Sequence, residues 1–265
     1  MSAQQDHLTH GWEPDLAAED TVLRRFVFAM ADRVSAMALA MTGRVQRDER
    51  ATMADLGSAF MFDQAVVLLQ PLPDDDLEEV VREATTFYGT DRGWVLLSAW
   101  PTPDLRGAGL ELMGHPPMMV RAAGPATSDA GAVPAGVEIV EVSNSAQLAD
   151  FERTLVTGFP LPSAGAVCSP ALVGDPLRLF VAYDGGEPIA VSGASLMHGI
   201  AEIDWVATLP PARGRGVGAA ITWAATVVDP ARPAVLLSSD PGRPVYERLG
   251  YLPMTRFTGW NHAPT

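Results

Sequence analysis

The sequence predicts a mixed α/β (α+β) fold, with helices flanking a mostly antiparallel sheet in a tandem two-domain arrangement, and three observations predict it. Apolar residues recur with the helical period in some segments and alternate with polar residues in others. The tight-turn sequence Asp184-Gly185-Gly186 joins two alternating segments as an antiparallel hairpin would. A stretch of mainly Ala, Gly, Pro, Ser and Thr at residues 122–135 has almost nothing to bury and divides the chain. We therefore expect domains at residues 1–122 and 136–265, joined by a linker at 123–135.

In the first domain the pattern predicts three helices and three strands. The opening helix has a long apolar face, and Asp32 and Arg33 interrupt the apolar run at 26–41 within it. The second helix begins with three aspartates, whose charge suits the positive end of the helix dipole. The predicted elements, in order, are a helix at 20–41, a strand at 65–70, a helix at 74–88, a strand at 94–99, a helix at 103–113 and a strand at 118–122.

The second domain is predicted to begin with a strand and a helix, which are followed by the hairpin and then by alternating strands and helices. Ser145 is the expected N-cap of its first helix, and Gly250 the expected end of its last. The predicted elements are a strand at 137–142, a helix at 143–159, strands at 177–183, 188–196 and 200–209, a helix at 219–228, a strand at 235–238, a helix at 241–249 and a strand at 252–258.

Composition and charge argue against nucleic-acid-binding, membrane-spanning and secreted proteins. The 265 residues are 48% hydrophobic, which suffices for a packed core. A net charge of −14 argues against nucleic acid as a partner and would attract cationic substrates, although solubility alone also explains it. No apolar run reaches the roughly 20 residues of a membrane span. The N-terminus lacks the pattern of a secretory signal and Cys168 is the sole cysteine, so we expect a cytoplasmic protein without disulfides or membrane contact.

Two pairs of segments suggest an internal repeat. Val95–Ser98 and Val235–Ser238 have the same Val-Leu-Leu-Ser sequence, and Leu112–His115 resembles Arg248–Tyr251 around a glycine. The spacing between the landmarks differs by four residues. The pattern indicates either two copies of one architecture or a chance similarity between two strand–helix–strand units.

The segment Arg213-Gly214-Arg215-Gly216-Val217-Gly218 carries the clearest ligand signal. It lies between an apolar run at 203–209 and a helix-forming segment at 219–228. Such a turn aims backbone N–H groups at an anion, and the helix dipole adds about half a positive charge. Glycines allow close approach and arginines provide charge-assisted hydrogen bonds. The pattern therefore predicts a site for the diphosphate of a cofactor.

Three cofactor classes compete for this turn. The ATP-binding P-loop requires a lysine after its glycines, and none follows here. The dinucleotide-binding fingerprint requires another glycine spacing and a position early in a βαβ unit. The third class is acyl-coenzyme A.

The third class, acyl-coenzyme A, is the co-substrate of a family that this chain resembles, the GNAT superfamily of acyl-CoA-dependent N-acyltransferases. The central family motif is [QR]-x-x-G-x-[GA], and Arg213, Gly216 and Gly218 fill its fixed positions. A second family landmark, Tyr-x-x-x-Gly-[FY], resembles the segment Tyr246–Tyr251. The resemblance covers about residues 136–258, while the first domain resembles a degenerate copy without the phosphate turn.

The resemblance implies acetyl-CoA as co-substrate and no metal. It implies that the pyrophosphate lies on the N–H groups of residues 215–219, beside the two arginine side chains. The pantetheine arm would follow the strand at 205–208, where a splay in the family exposes backbone groups. The residues implied for cofactor binding are Val206, Ala207, Thr208, Arg213, Gly214, Arg215, Gly216, Val217, Gly218 and Ala219.

The resemblance also implies catalytic candidates. An alkyl amine has a pKa near 10, so attack on a thioester needs a base. Glu202 stands where several family members have a glutamate, and Asp204 lies on the same strand face; the alternative is that both are solvent-exposed strand residues. Tyr246 corresponds to the family tyrosine that protonates the departing thiolate, or else it packs the last helix. Its counterpart in the first domain is Leu110, which predicts that this copy does not catalyse.

Other residues carry weaker signals. The five histidines lack metal-ligand spacing. The loop at 158–176 either shapes the acceptor site, with Phe159 lining it, or is an ordinary loop. The remaining expectations are an unreactive Cys168, a surface His198, and core positions for Trp205 and Trp223.

The sequence thus predicts an enzyme that moves an acetyl group from acetyl-CoA to an amine of a small molecule or a protein, as a monomer or homodimer. The alternative is a non-catalytic acyl-CoA-binding regulatory protein that uses the first domain for partner contacts. Tyr246 favours the enzyme.

Overall fold

A computed structural model describes residues 20–57, 64–89, 92–125, 131–159 and 166–263. The helices are α1 (Val22–Ala40), α2 (Asp74–Tyr88), α3 (Ser145–Gly158), α4 (Val217–Thr226) and α5 (Arg243–Arg248). The strands are β1 (Arg44–Arg47), β2 (Ala51–Asp55), β3 (Ala65–Leu68), β4 (Trp94–Ser98), β5 (Glu111–Gly114), β6 (Pro117–Arg121), β7 (Val137–Glu141), β8 (Leu177–Asp184), β9 (Glu187–Ser195), β10 (Ala201–Thr208), β11 (Ala234–Leu237), β12 (Leu252–Arg256) and β13 (Thr258–His262). No helix in these ranges is both long and apolar enough to cross a membrane.

Local sequence explains where the helices begin. The Thr21 hydroxyl accepts a hydrogen bond from the backbone N–H of Arg24, at 3.1 Å, and so caps α1. The helix α2 has no side-chain cap, but its first turn carries the three aspartates. The predicted cap of α3 was wrong by one residue, because the Asn144 side chain, and not Ser145, accepts from the N–H of Gln147 at 3.0 Å.

The strands form two sheets. The first has the order β1-β2-β3-β4-β13-β5, and the second the order β7-β8-β9-β10-β11-β6-β12. The pairs β3–β4 and β10–β11 are parallel and the other pairs are antiparallel. The predicted mixed fold with mostly antiparallel sheets is therefore confirmed.

The two sheets repeat one architecture and exchange one strand. Strands β1 to β4 occupy the positions that β8 to β11 occupy in the second sheet, and β5 corresponds to the edge strand β12. Strand β13 lies between β4 and β5, while β6 lies between β11 and β12. Each half thus contributes its last strand to the sheet of the other half. The division at residues 122–136 stays a prediction, but the hydrogen-bonded sheets cross it.

A shared hydrophobic core joins the two halves. Helices α1 and α3 contribute Met30 and Phe151 to one continuous cluster that also contains Val67 from the first sheet and Leu179 from the second. Helices α2 and α4 pack on the outer faces of their own sheets, in separate clusters. The site-bearing strand β10 therefore has material from both halves on its inner face.

The predicted helix at 103–113 was wrong. The chain forms a short 3-10 helix at Leu105–Ala108 and then strand β5, because Gly109, with φ at +84°, ends the helix. Leu112–His115 is therefore not equivalent to the end of α5, and Leu110 is not the counterpart of Tyr246. The other landmark is confirmed, since its two copies form β4 and β11. Strands β1, β2 and β13 were not predicted.

Candidate active site

The Gly-rich turn forms a cradle at the N-terminus of α4. Gly216 is the N-cap in the left-handed conformation, with φ at +85°, and no side chain caps the helix. The N–H groups of the first helical turn have no carbonyl partner within a helix, so those of Val217, Gly218 and Ala219 are donors for an anion. The first turn contains no acidic residue. The cradle therefore fits the diphosphate that the sequence predicted for it.

The two arginines of the turn lie exposed at the edge of the cradle. The Nε of Arg213 donates to the carbonyl oxygen of Thr208 at 2.9 Å and ties the turn to the end of β10. Arg215 forms an ion pair with Asp184 in the β8–β9 hairpin, at 2.7 Å. Asp184 offsets the charge of Arg215, so Arg213 is the stronger source of positive potential at the cradle.

A slot opens beside the cradle because β10 separates from β11. Their parallel pairing includes only Ala201 with Ala234 and Glu202 with Val235, although β10 continues to Thr208. On its other edge β10 has a bulge between Asp204 and Ala207 in its pairing with β9. The backbone of the second half of β10 is thus released from β11, which is the splay that the family resemblance implied.

The predicted pantetheine partners differ in their exposure. Val206 and Thr208 are partly exposed, whereas the Ala207 side chain is buried. A Cβ added at Gly158 of α3 would lie 2.8 Å from the Cβ of Ala207. Ala207 therefore faces α3, and only its backbone is available to a ligand in the slot.

Tyr246 lies on α5, which follows β11. The ring is partly buried and packs edge-on against Tyr251, with 6.0 Å between centroids. The hydroxyl of Tyr251 is hydrogen-bonded to that of Thr226 at 2.7 Å, which anchors this second ring to α4. Burial, and then the negative charge of Asp204, raise the pKa of Tyr246 to about 12. The phenol is therefore protonated at neutral pH, and it lies within the electrostatic reach of Asp204.

The two candidate carboxylates lie on one side of β10 and share a partner. Glu202 is 3% exposed, which rules out its interpretation as a solvent-exposed residue, whereas the Asp204 side chain is 46% exposed. Arg33 of α1 forms ion pairs with both, at 3.1 Å to Glu202 and 2.9 Å to Asp204. Arg33 was not among the site residues predicted from the sequence. Its only signal there was that, with Asp32, it interrupts the apolar run at 26–41.

The remaining candidates have structural partners. The Nε2 of His198 is 2.6 Å from a carboxylate oxygen of Asp32, so this residue is held against α1 and is not simply a surface residue. Cys168 is buried, and its thiol lies 3.4 Å from the carbonyl oxygen of Ser169. Trp205 is in the core as predicted, and Trp223 is partly exposed but packs against the core cluster on the outer face of the second sheet. Phe159 is partly buried, and residues 160–165 of its loop lie outside the described residues. No cluster of three metal-ligating side chains occurs in the part of the chain that the structure describes.

Comparison with known proteins assigns the site-bearing region to a family. Residues 150–251 match the model of the acetyltransferase (GNAT) family. No curated protein matches the chain. A GCN5-related N-acetyltransferase from Kribbella flavida is similar over 89% of this chain and 96% of its own, with 18% identity and a TM-score of 0.63. A protein of the GNAT family from Novosphingobium aromaticivorans is similar over 93% and 100%, with 17% identity and a TM-score of 0.59. A conserved protein of unknown function from Staphylococcus epidermidis is similar over 85% and 96%, with 13% identity and a TM-score of 0.59. These structures have the same fold across both halves of the chain.

Proposed function

We propose that this chain, in which residues 150–251 form a domain of the acetyltransferase (GNAT) family, transfers an acetyl group from acetyl-CoA to an amine of a small molecule or a protein. One observation carries the proposal: β10 leaves β11 after Glu202, and the resulting slot lies between the uncapped N-terminus of α4 and Tyr246. Because the two strands are parallel, their carboxyl ends bring these features to one edge of the sheet. A co-substrate with a diphosphate and a distant thioester matches a slot of this kind.

The binding residues divide between the two ends of the slot. The N–H groups of Val217, Gly218 and Ala219 hold the diphosphate, with Arg213 beside them. The released backbone of Val206 and Thr208 pairs with the amides of the pantetheine arm. Bound in this way, acetyl-CoA supplies an acyl group activated as a thioester.

Asp204 and Tyr246 are the groups that we propose to move protons. Asp204 accepts a proton from the acceptor ammonium, and the neutral amine then forms the new C–N bond as the C–S bond breaks. Tyr246 donates its phenolic proton to the departing thiolate, and the amide nitrogen loses its remaining extra proton through water to the Tyr246 phenolate, which restores the phenol. Asp204 then releases its proton to solvent. Both carboxylates pair with Arg33, but Glu202 is less suited to act as the base because it is 3% exposed and so is shielded from an acceptor amine, whereas the Asp204 side chain is 46% exposed.

The effect of the Asp204 charge on the pKa of Tyr246 agrees with this division of roles. The charge of Asp204 is the second cause of the raised pKa of Tyr246, after burial. When Asp204 accepts a proton, this cause is removed and Tyr246 becomes a better acid. The proton accepted at one group therefore favours the proton donated by the other.

The test compares Tyr246→Phe with Tyr183→Phe in an assay of CoA release from acetyl-CoA with a panel of amines. Tyr183 is a matched control, because its pKa is also raised to about 12 but its hydroxyl bonds to Asp150 of α3. We expect Tyr246→Phe to lower kcat about 100-fold. Its calorimetric Kd for acetyl-CoA should stay within about twofold of the wild type, since the cradle is intact. Tyr183→Phe should retain activity.

Two results would contradict the proposal in different ways. An absence of acetyl-CoA binding would exclude both the enzyme and the acyl-CoA-binding regulator. Tight binding without turnover of any amine would favour the regulator.

A further inference from the structure

Helix α1 belongs to the first half of the chain, but its Arg33 side chain reaches the catalytic strand of the second half. Arg33 and Glu202 are 169 residues apart in sequence and are joined by a 3.1 Å hydrogen bond between Nε and Oε1. A terminal nitrogen of the same guanidinium lies 2.9 Å from Asp204. Arg33 and Glu202 are 4% and 3% exposed, so the ion pair between these two residues is shielded from solvent. One cation from the first half thus holds two carboxylates of the second.

The same guanidinium lies over the irregular part of β10. Its Cζ is 5.3 Å from the ring centroid of Trp205, a cation–π distance. Trp205 has φ at +54°, which is strained for a residue with a large side chain. Its backbone N–H donates to Asp204 at 2.7 Å. Arg33 therefore contacts the strained residue and also the carboxylate that accepts from its backbone.

We infer that the first half of the chain completes the catalytic site, with Arg33 as a positioning residue that holds the bulge of β10 and the Asp204 carboxylate in their working geometry. The inference rests on the proposed function for its catalytic consequence. Glu202 and Asp204 carry two negative charges against the one positive charge of Arg33, so the cluster keeps a net negative charge. Because Asp204 is the exposed member, the cluster presents a carboxylate to a cationic acceptor amine.

A purely structural ion pair between the halves is the competing explanation. Such a pair would affect the melting temperature while leaving the chemical step unchanged below it. A positioning residue affects β10 locally and lowers kcat in the folded enzyme, because small misplacements of catalytic groups are costly. The two roles can therefore be separated.

The test variant is Arg33→Met with Glu202→Gln, which removes the guanidinium without leaving the buried Glu202 charge unpaired. The control is Arg24→Met, at a residue of α1 that is also 4% exposed and whose Cζ lies 5.4 Å from the ring of Phe28. Arg33→Lys keeps the charge, but its single ammonium cannot reproduce the fork between two carboxylates. Amide hydrogen exchange of peptides covering residues 203–208 provides a measurement that does not require turnover.

We expect the double variant to increase exchange in 203–208 about 10-fold over the Arg24→Met control, and to lower kcat by at least about 10-fold with an unchanged Kd for acetyl-CoA. Arg33→Lys should give exchange and kcat values between those of the wild type and the double variant. If the double variant does not fold, the comparison of Arg33→Lys with Arg24→Met tests the inference. Exchange and kcat equal to those of the control would overturn the inference. If the wild type acetylates no amine, the proposed function fails, and the exchange measurement alone still decides whether Arg33 positions β10.

Discussion

The first and second sheets have the same strand order but differ at the place where a cofactor would bind. In the second sheet the parallel pair β10–β11 joins only two residues of an eight-residue strand. In the first sheet the equivalent pair β3–β4 joins three residues of a four-residue strand, from Ala65 to Val67. The first sheet therefore stays closed where the second opens a slot.

The helix that follows each of these strands shows a second difference. The N-cap of α4 is Gly216, and the first turn of this helix contains no acidic residue. The N-cap of α2 is Pro73, and its first turn contains Asp74, Asp75 and Asp76. Carboxylates at a helix N-terminus interact with the donors and the dipole that would otherwise attract an anion. The closed strand pair and the acidic start of α2 therefore disfavour a diphosphate site in the first half, although its strand order is the same. The first half instead contributes β6 to the second sheet and α1, whose Arg33 pairs with Glu202 and Asp204 of β10.

The largest expected effect comes from separating the halves. The fragments 1–122 and 136–265 each lack one internal strand of their own sheet, β13 or β6. We expect neither fragment alone to give a cooperative thermal transition by circular dichroism, because each sheet would have unpaired strand edges inside it. Co-expression should restore a single folded species on size exclusion. Cooperative unfolding of monomeric 136–265 would show that the strand exchange is dispensable.

A substitution at the cradle tests the functional difference between the halves. Gly216→Ala places a side chain at φ +85°, and Gly57→Ala in the first half places one at φ +69°, where an added Cβ has no atom within 4 Å. Both should lose about 1–2 kcal/mol of unfolding free energy to left-handed strain. Only Gly216→Ala should weaken acetyl-CoA binding, by about 10-fold, since relief of the strain reorients the N–H donors. Equal binding by the two variants in calorimetry would argue against the cradle.

A smaller effect, on stability alone, is expected at Asp55, a buried carboxylate whose ion-pair partners lie in the first half. Asp55 is 3% exposed and bonds to Arg44 at 2.7 Å and Arg92 at 2.6 Å. Burial opposes its ionisation, but the hydrogen bonds from Arg44 and the backbone of Gly57 outweigh burial and hold its pKa below the usual value. The stabilisation is therefore present above pH about 4 and is lost as the pH falls through the lowered pKa.

We expect Asp55→Asn to reduce the unfolding free energy by about 1–3 kcal/mol at pH 7, with the difference from wild type shrinking below pH about 4 in denaturant titrations. The control Asp48→Asn removes a carboxylate of the same half that is 38% exposed and should cost less than about 1 kcal/mol. A difference for Asp55→Asn that stays constant with pH would contradict this assignment.

The sequence predicted those elements whose signals are local. Helix α2 has the predicted bounds, 74–88, because its amphipathic pattern and acidic first turn lie within it. The hairpin between β8 and β9 also follows from its turn residues. Strand β13 depends on pairing with the distant strands β4 and β5, so no local pattern predicted it. Strand β1 pairs with its sequence neighbour β2, but its four residues are mostly exposed and polar, so no apolar alternation marked it. The helix expected at 103–113 failed because two glycines, Gly107 and Gly109, outweighed its apolar residues.

For the site, the sequence by itself determined the cradle at 213–218 and the tyrosine of α5, since a helix N-terminus and its glycines are specified within a few residues. The tertiary structure alone decided which strand pair opens, which half receives β6 and β13, and which cation meets Glu202 and Asp204. The physical reason is sequence separation, because the residues next to Arg33 show only a charge within an apolar run of α1 and not the partner of that charge. The role of Arg33 depends on its contact with Glu202, which is 169 positions away in sequence. Only the packing of α1 against β10 brings these two residues together.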